Sequence, residues 1–255
     1  MRRLRRLIGG FLGFFLSTLP AAQLQTLIAD LVNRRTMKMA PDEGLRFLFR
    51  LDGVLYNLAG RLAERYGEGV HVKHRLTRYH DFFVDRLDRA ERVLEIGCGA
   101  GNLAHDVAMR AGCSVTALEI DSGKIDIAKS RFPDSPVLWL VGDAVQNLPG
   151  ERFDVVIMSN LLEHLTERIR FLSRVADVTG AERFLLRVPL FERDWRVPLK
   201  KELGVEWRLD PTHETEYTLE SFAEEMAEAG LAIIHQEVRW GEIWAEATPI
   251  KQGSH

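Results

Sequence analysis

Residues 93 to 102 read VLEIGCGAGN, a hydrophobic run that ends in an acid and then turns through glycines. Gly97, Gly99 and Gly101 allow a tight turn and a close backbone approach to a ligand. A glycine turn after a strand usually holds phosphate, and a dinucleotide site shows G-x-G-x-x-G. Here the third glycine comes one residue early and Asn102 stands where it should be. Glu95 is the second objection, because its charge would repel a pyrophosphate in a partly dry site where screening is poor. A ligand with a positive end meets no such repulsion. Three further acids or acid clusters follow at the ends of later hydrophobic runs: Glu119 in VTALEID, Asp143 in VGDA, and Asn160, Glu163 and His164 in FDVVIMSNLLEHL.

S-adenosylmethionine has a positive end, with a sulfonium and an α-ammonium and no phosphate. Glu119, about 20 residues past the loop, is placed to accept hydrogen bonds from both ribose hydroxyls. Asp143 can accept from an adenine amino group. These stretches, in this order and each at a strand end, resemble the class I S-adenosylmethionine-dependent methyltransferases, over about residues 73 to 248. The resemblance implies that the methionine end lies against Glu95 and the loop Gly97, Cys98, Gly99, Gly101 and Asn102. It implies the ribose on Glu119 with Ile120 beside it, the adenine by Asp143 and Ala144, and Asn160 and Leu161 on the same rim. DPTHETEYTLESFAEEMAEAGL is similar to the stretch before the late helix in small-molecule members. HVKHRLTRYHDFF resembles the segment before the first strand in members from bacterial sugar and cell-envelope pathways.

The elements that must position these residues are legible as a change of grammar at Glu91. Before it, residues 1–88 read as helical, with Leu24, Leu27, Ile28, Leu31 and Val32 at helical spacing. A helix opens at Pro41 and stops at Gly67, and HRLTRYHDFFVDRL forms a further short one. After it, β-rich runs alternate with helical patterns, which predicts a parallel sheet covered by helices on both faces. The fold expected is α/β: a Rossmann-like, seven-stranded, mostly parallel sheet plus an N-terminal helical extension. The resemblance makes its last strand antiparallel, and LAIIHQEV and EIWAEAT are spaced to pair as an antiparallel edge. Residues 89–250 form the methyltransferase domain. Residues 189–217 are an insert without clear period, of a length that is usually functional. Thr218 caps the helix after it and Gly230 stops that helix. Asp121 reads as a helix cap rather than a ligand. The tail, 251–255, is set aside.

The chemistry beyond the cofactor falls on histidines and aromatics. His213, in the insert, and His164 are the candidate bases, since imidazole titrates near neutrality and can take a proton from a hydroxyl. Tyr79, His80, Trp195, Trp207 and Tyr217 are candidate acceptor contacts, and Lys73, His74 and Arg75 can meet a carboxylate or an anionic acceptor. No metal is expected: His71 and His74 are three apart, with no companion carboxylate at matching spacing. Amino-purine methylases that resemble this fold carry Asn/Asp-Pro-Pro-aromatic after the fourth strand. Here SNLLEH stands there, which favours a small-molecule, sugar or lipid hydroxyl over a base nitrogen. A net charge of −3 gives no case for a nucleic-acid binder.

Two cysteines, Cys98 and Cys113, form no disulfide or metal framework and suit a reducing cytoplasm. The rival readings are a non-catalytic methyltransferase-like scaffold, a methyltransferase acting on protein or RNA, and a nicotinamide dehydrogenase, which Glu95 and Asn102 disfavour. At the start, Arg2, Arg3, Arg5 and Arg6 precede an apolar stripe of Leu4, Ile8, Phe11, Leu12, Phe15 and Leu19. The apolar core of this stretch, from Leu7 to Leu19, is too short to span a bilayer. Residues 1–19 suit the inner face of a membrane, a homodimer contact or packing on the chain's own domain, with export as a further reading.

Overall fold

A computed structural model describes residues 13, 14, 16 and 18–250. Most of the amphipathic stretch expected over residues 1–19 therefore lies outside the described residues, as does the tail. Among the described residues, no helix is long and apolar enough to cross a membrane. Two compact units are present. The smaller runs up to Leu58 and includes Leu203–Val205; the larger comprises Ala59–Glu202 and the chain from Glu206 onward.

The smaller unit holds α1 (Ala21–Thr36) and the greater part of α2 (Pro41–Tyr66). Asp42 and Glu43 sit in the first turn of α2, at the positive end of the helix dipole. Neither helix buries much. Ile28 and Leu31 of α1, and Val54, Leu55 and Tyr56 of α2, are exposed.

The larger unit is built on a seven-stranded sheet: β1 (Arg92–Ile96), β2 (Ser114–Glu119), β3 (Leu138–Val141), β4 (Val155–Ser159), β5 (Arg183–Pro189), β6 (Leu231–Arg239) and β7 (Glu242–Pro249). The strand order is β3-β2-β1-β4-β5-β7-β6. β1 to β5 pair in parallel, while β7 is antiparallel to both β5 and β6. The antiparallel pair is thus as expected, but β7 lies inside the sheet and β6 forms the edge. The reason is burial. Ile243, Trp244, Ala245 and Ala247 of β7 are fully buried, whereas His235 and Gln236 of β6 are exposed.

The central strands are apolar on both faces, as strands covered by helices on both sides must be. One core, with Leu94, Val156, Leu172, Leu186, Phe222 and Met226, packs α7 (Arg168–Thr179) and α9 (Leu219–Glu228). The other, with Phe83, Val93, Leu103, Val115, Ile157 and Trp244, packs α5 (Asn102–Arg110) and α6 (Ser122–Arg131). Asp121 caps α6 by accepting from the Gly123 N–H at 2.8 Å. Thr218 and Ser221 form a reciprocal capping box on α9, and Gly230 ends it with φ +78°.

Two local expectations need correction. The helix over HRLTRYHDFFVDRL is broken at Arg78, which adopts φ +51°, into α3 (Lys73–Thr77) and α4 (Tyr79–Val84). The insert is not irregular throughout, since α8 (Arg196–Glu202) follows a single turn at Phe191–Arg193.

Candidate active site

The strand order turns back between β1 and β4, so a crevice opens at their carboxyl ends. Glu95 and Ile96 end β1 there, Glu119 ends β2 and Ser159 ends β4. The loop after β1 is held by the Gly97 and Cys98 N–H groups, which donate to the Leu118 carbonyl at 2.8 and 3.3 Å. Gly97, Gly99 and Gly101 all have positive φ. Gly101 needs to be glycine twice over, because a Cβ there would lie 2.5 Å from the Trp139 ring and 2.8 Å from Ala128. A Cβ on Gly97 would come within 3.0 Å of Leu161, which closes the loop from the β4 side. Beside Gly99 there is open space.

The carboxylates of this rim are not equivalent. Glu119 is buried, yet both its oxygens are used: one accepts from the Gly99 N–H at 2.8 Å and the other from the Asp121 N–H at 3.1 Å. Glu95 is 3% exposed and its Oε2 has no hydrogen-bond partner. Burial pushes its carboxyl up to about 8, and the charge on Glu119 adds to the effect. Asn160 sits at φ +55° with its side-chain oxygen also buried and unpartnered. An unsatisfied buried acceptor costs free energy on the order of 1–3 kcal/mol. A cationic ligand end would supply what Glu95 and Asn160 lack.

Further along the rim, Asp143 folds back on the Val145 N–H at 2.8 Å, Ala144 is buried and Ile120 is 67% exposed. The Asn102 side chain accepts from Arg131 at 3.1 Å, so it braces α5 against α6. Cys98 is buried, and burial pushes its thiol up, which fits a small filler and no nucleophile.

On the β4 side, Glu163 and His164 lie in the short turn Leu162–His164. The insert returns to this turn, with the Glu214 and Thr215 N–H groups donating to the Glu163 carbonyl at 2.7 and 3.3 Å. That pins His213 beside it, and the rings of His164 and His213 meet edge-on at 4.7 Å. His213 is 4% exposed and its Nδ1 lies 3.1 Å from Glu216. Glu216 also accepts from the Leu209 N–H at 2.5 Å and from Arg193. Against burial, which would raise it, these donors and His213 hold the Glu216 carboxyl below its ordinary value. Glu163 is fully buried, and neither of its oxygens has a partner.

The sequence-derived acceptor contacts are scattered. Tyr217 is a correction. It is 1% exposed and its hydroxyl donates to Glu225 at 2.5 Å, so it belongs to the core. Trp195 is 70% exposed. Trp207 packs edge-on against Phe191, with the Lys201 ammonium 5.0 Å from its ring. Tyr79 is buried, with its hydroxyl 3.0 Å from His74 Nδ1 and the Arg187 guanidinium over its ring. His80 joins His74 to Asp106 at 3.2 and 3.0 Å. Burial, reinforced by His80 and Lys73, pushes the His74 imidazole down to about 3. This chain lines a separate cleft of about 540 Å³ beside the first turn of α5. Arg187 forms a buried bidentate pair with Glu242, at 2.7 and 2.5 Å.

Comparison with known proteins finds methyltransferases. An uncharacterized methyltransferase of Mycobacterium tuberculosis is 38% identical over 84 residues, covering 32% of this chain and 42% of its own. The ubiquinone biosynthesis O-methyltransferase of Rhodopseudomonas palustris is 30% identical over 118 residues, 46% of each chain. The chain thus spans less than half the length of these curated relatives. The fold is similar to that of magnesium protoporphyrin IX methyltransferase from Synechocystis, solved with bound S-adenosylhomocysteine. The TM-score is 0.56 at 19% identity, over 71% of this chain and 85% of that one. A family described as a methyltransferase domain matches residues 68–236, and with the seven-stranded sheet and its glycine loop in place the chain belongs to that family, of the class I S-adenosylmethionine-dependent kind.

Proposed function

We propose that the protein transfers a methyl group from S-adenosylmethionine to a hydroxyl of a small-molecule, sugar or lipid-linked acceptor. The observation that carries the cofactor half is the unpartnered, buried Glu95 oxygen beneath a loop that keeps open space at Gly99. When bound, S-adenosylmethionine supplies a methyl group already made electrophilic by its sulfonium. Glu95 and Asn160 would hold its ammonium end, Glu119 its ribose hydroxyls and Asp143 its adenine. Glu119 keeps acceptor capacity for this, because a carboxylate has about four lone-pair sites and two backbone donors occupy only some of them.

What remains for the protein is alignment, exclusion of water and help in removing the acceptor's proton. His213 and His164 serve that end. Each has its Nδ1 committed, His213 to Glu216 and His164 to Thr212 at 3.1 Å. Their Nε2 atoms can therefore act on a hydroxyl, either by taking its proton or by holding a cation that polarises its oxygen. The oxygen chemistry is supported by the name of the ubiquinone biosynthesis O-methyltransferase, and by the absence of the Pro-Pro-aromatic run after β4.

Calorimetry tests the cofactor half. The protein is expected to bind S-adenosylhomocysteine one to one and to ignore NAD; preference for NAD would end the proposal. Release of S-adenosylhomocysteine on addition of hydroxylated acceptors tests the other half. A lipid-linked acceptor is favoured by the arginines and apolar stripe read from residues 1–19. Roughly 1 kcal/mol per arginine at an anionic surface would suffice for peripheral attachment. Sedimentation with liposomes should rise with anionic lipid and fall with salt; indifference to both would exclude the membrane.

A further inference from the structure

Glu163, His164 and His213 bring one ligand atom each to within 4.8 Å of the others. The hydrogen bonds around them settle which atoms those rings offer. Glu216 is a carboxylate and can only accept, so the His213 Nδ1 facing it must carry the proton. The Thr212 hydroxyl spends its own proton on Asp210 at 2.7 Å, so it accepts from the His164 Nδ1. In the neutral form of each ring the bare lone pair is then the one on Nε2. The third member, Glu163, is fully buried and neither of its oxygens has a donor. With both rings neutral and Glu163 ionised, the cluster presents three acceptors to one another.

We propose that this cluster is a divalent-cation site, with Glu163, His164 and His213 as ligands. Two imidazoles and one carboxylate suit zinc, manganese, iron or cobalt in the divalent state. Metal–ligand bonds of roughly 2.0–2.2 Å put donors around a common ion about 3–4 Å apart, so the cluster must close by about an ångström. The surroundings are those of a metal site. Each ligating imidazole is oriented by an acid behind it, Glu216 directly and Asp210 through Thr212, which fixes the tautomer and raises ligand basicity. Glu216 is itself anchored by Arg193 and the Leu209 N–H. The ligands come from two segments, the turn after β4 and the end of the insert, and the two N–H bonds to the Glu163 carbonyl hold those segments together.

Three protein ligands leave coordination positions open. If the methyl-transfer reading is right, an acceptor oxygen would occupy one of them, and the cation would make its proton easier to lose. That role rests on the proposed function; the site itself does not.

The test is titration of full-length, chelator-treated protein with zinc or manganese chloride by calorimetry, with cobalt followed by its visible absorption. One ion per chain is expected. Glu163→Gln, His213→Ala and His164→Ala should each weaken binding at least tenfold, and Glu216→Gln should weaken it about tenfold without removing a ligand. His164 is exposed, so its variant should fold even if a buried variant does not. Wild-type protein that binds none of the three ions, or binds them as well after His164→Ala and Glu163→Gln, would overturn the site. The same samples are titrated with S-adenosylhomocysteine. Cation binding without cofactor binding supports the site and removes the function; cofactor binding without cation binding does the reverse.

Discussion

On the β1–β2 side of the rim, main-chain groups build the site. The glycine loop donates to Glu119, the Asp121 N–H donates to its other oxygen, and Trp139 fills the space that a side chain on Gly101 would need. On the β4 side, side chains build it. Glu163 receives no donor, His164 is aimed by Thr212 and Asp210 from the insert, and His213 by Glu216 within it. The first side is a cradle built from the ends of the successive strands β1 and β2, with Trp139 of β3 behind it. The second is an assembly whose parts meet only once the insert has folded back. A common cofactor can be held by the first kind of structure, while the choice of acceptor can be altered through the second without disturbing it.

The largest effect should come from breaking the cradle at its tightest point. Gly101→Ala forces an alanine to φ +78° and drives its Cβ into Trp139 and Ala128. A left-handed alanine costs about 1–2 kcal/mol and overpacking typically another 1–3 kcal/mol. We expect a loss of about 2–5 kcal/mol in chemical denaturation, together with loss of S-adenosylhomocysteine binding. Gly99→Ala faces open space and should lose only about 1–2 kcal/mol of stability, from backbone strain alone. Equal losses at the two positions would show that the loop is not wedged as described.

Next in size is a pH effect on the same side. The Glu95 carboxyl is raised from 4.5 to about 8, so the folded protein holds a proton that the unfolded chain has released. A group raised in this way contributes stability that is fully present below pH 4.5 and is lost as pH rises through about 8. Wild type should therefore lose about 2–3 kcal/mol relative to Glu95→Gln between pH 5 and pH 7, since one pKa unit corresponds to about 1.4 kcal/mol. If the cofactor's ammonium pairs with the Glu95 carboxylate as proposed, saturation with S-adenosylhomocysteine should flatten the difference. Parallel stability curves for the empty proteins would mean that Glu95 is ionised without a partner.

This contrast also explains what could be read from the sequence. The positions of Glu95, Glu119 and Asp143 at the rim were legible because in a parallel sheet every strand ends at the same side, so an acid at the end of each hydrophobic run is already placed there. The seven-stranded sheet was legible for the same reason, and the caps Asp121 and Thr218 because capping is local. The Glu163–His164–His213 cluster was not, since nothing in the spacing says that the insert returns to the turn after β4. The signal at hand was a Glu-His pair at a strand end and a lone insert histidine three residues before Glu216. Tyr217 was misread because an aromatic in an insert looks like a ligand contact, while Glu225, its hydroxyl's partner, lies on the following helix. The break at Arg78 has no glycine to announce it.

The smallest of these effects sharpens the division between cradle and assembly. Glu119→Ala removes the proposed acceptor for the ribose hydroxyls and also releases the Gly99 and Asp121 N–H groups. We expect S-adenosylhomocysteine to bind about 2 kcal/mol more weakly, roughly thirtyfold, from lost charge-assisted hydrogen bonds. Glu119→Gln keeps one carbonyl acceptor and should lose about half of that free energy. Neither variant should change the affinity for zinc or manganese, because Glu119 belongs to the β2 end and touches none of Glu163, His164 or His213. Conversely, His164→Ala should leave S-adenosylhomocysteine affinity within about twofold of wild type, as expected for sites that share no partner. If Glu119→Ala binds the cofactor normally, the ribose assignment fails. If it weakens the cation as much as the cofactor, the two sides of the rim are one coupled site and the division drawn between them is wrong.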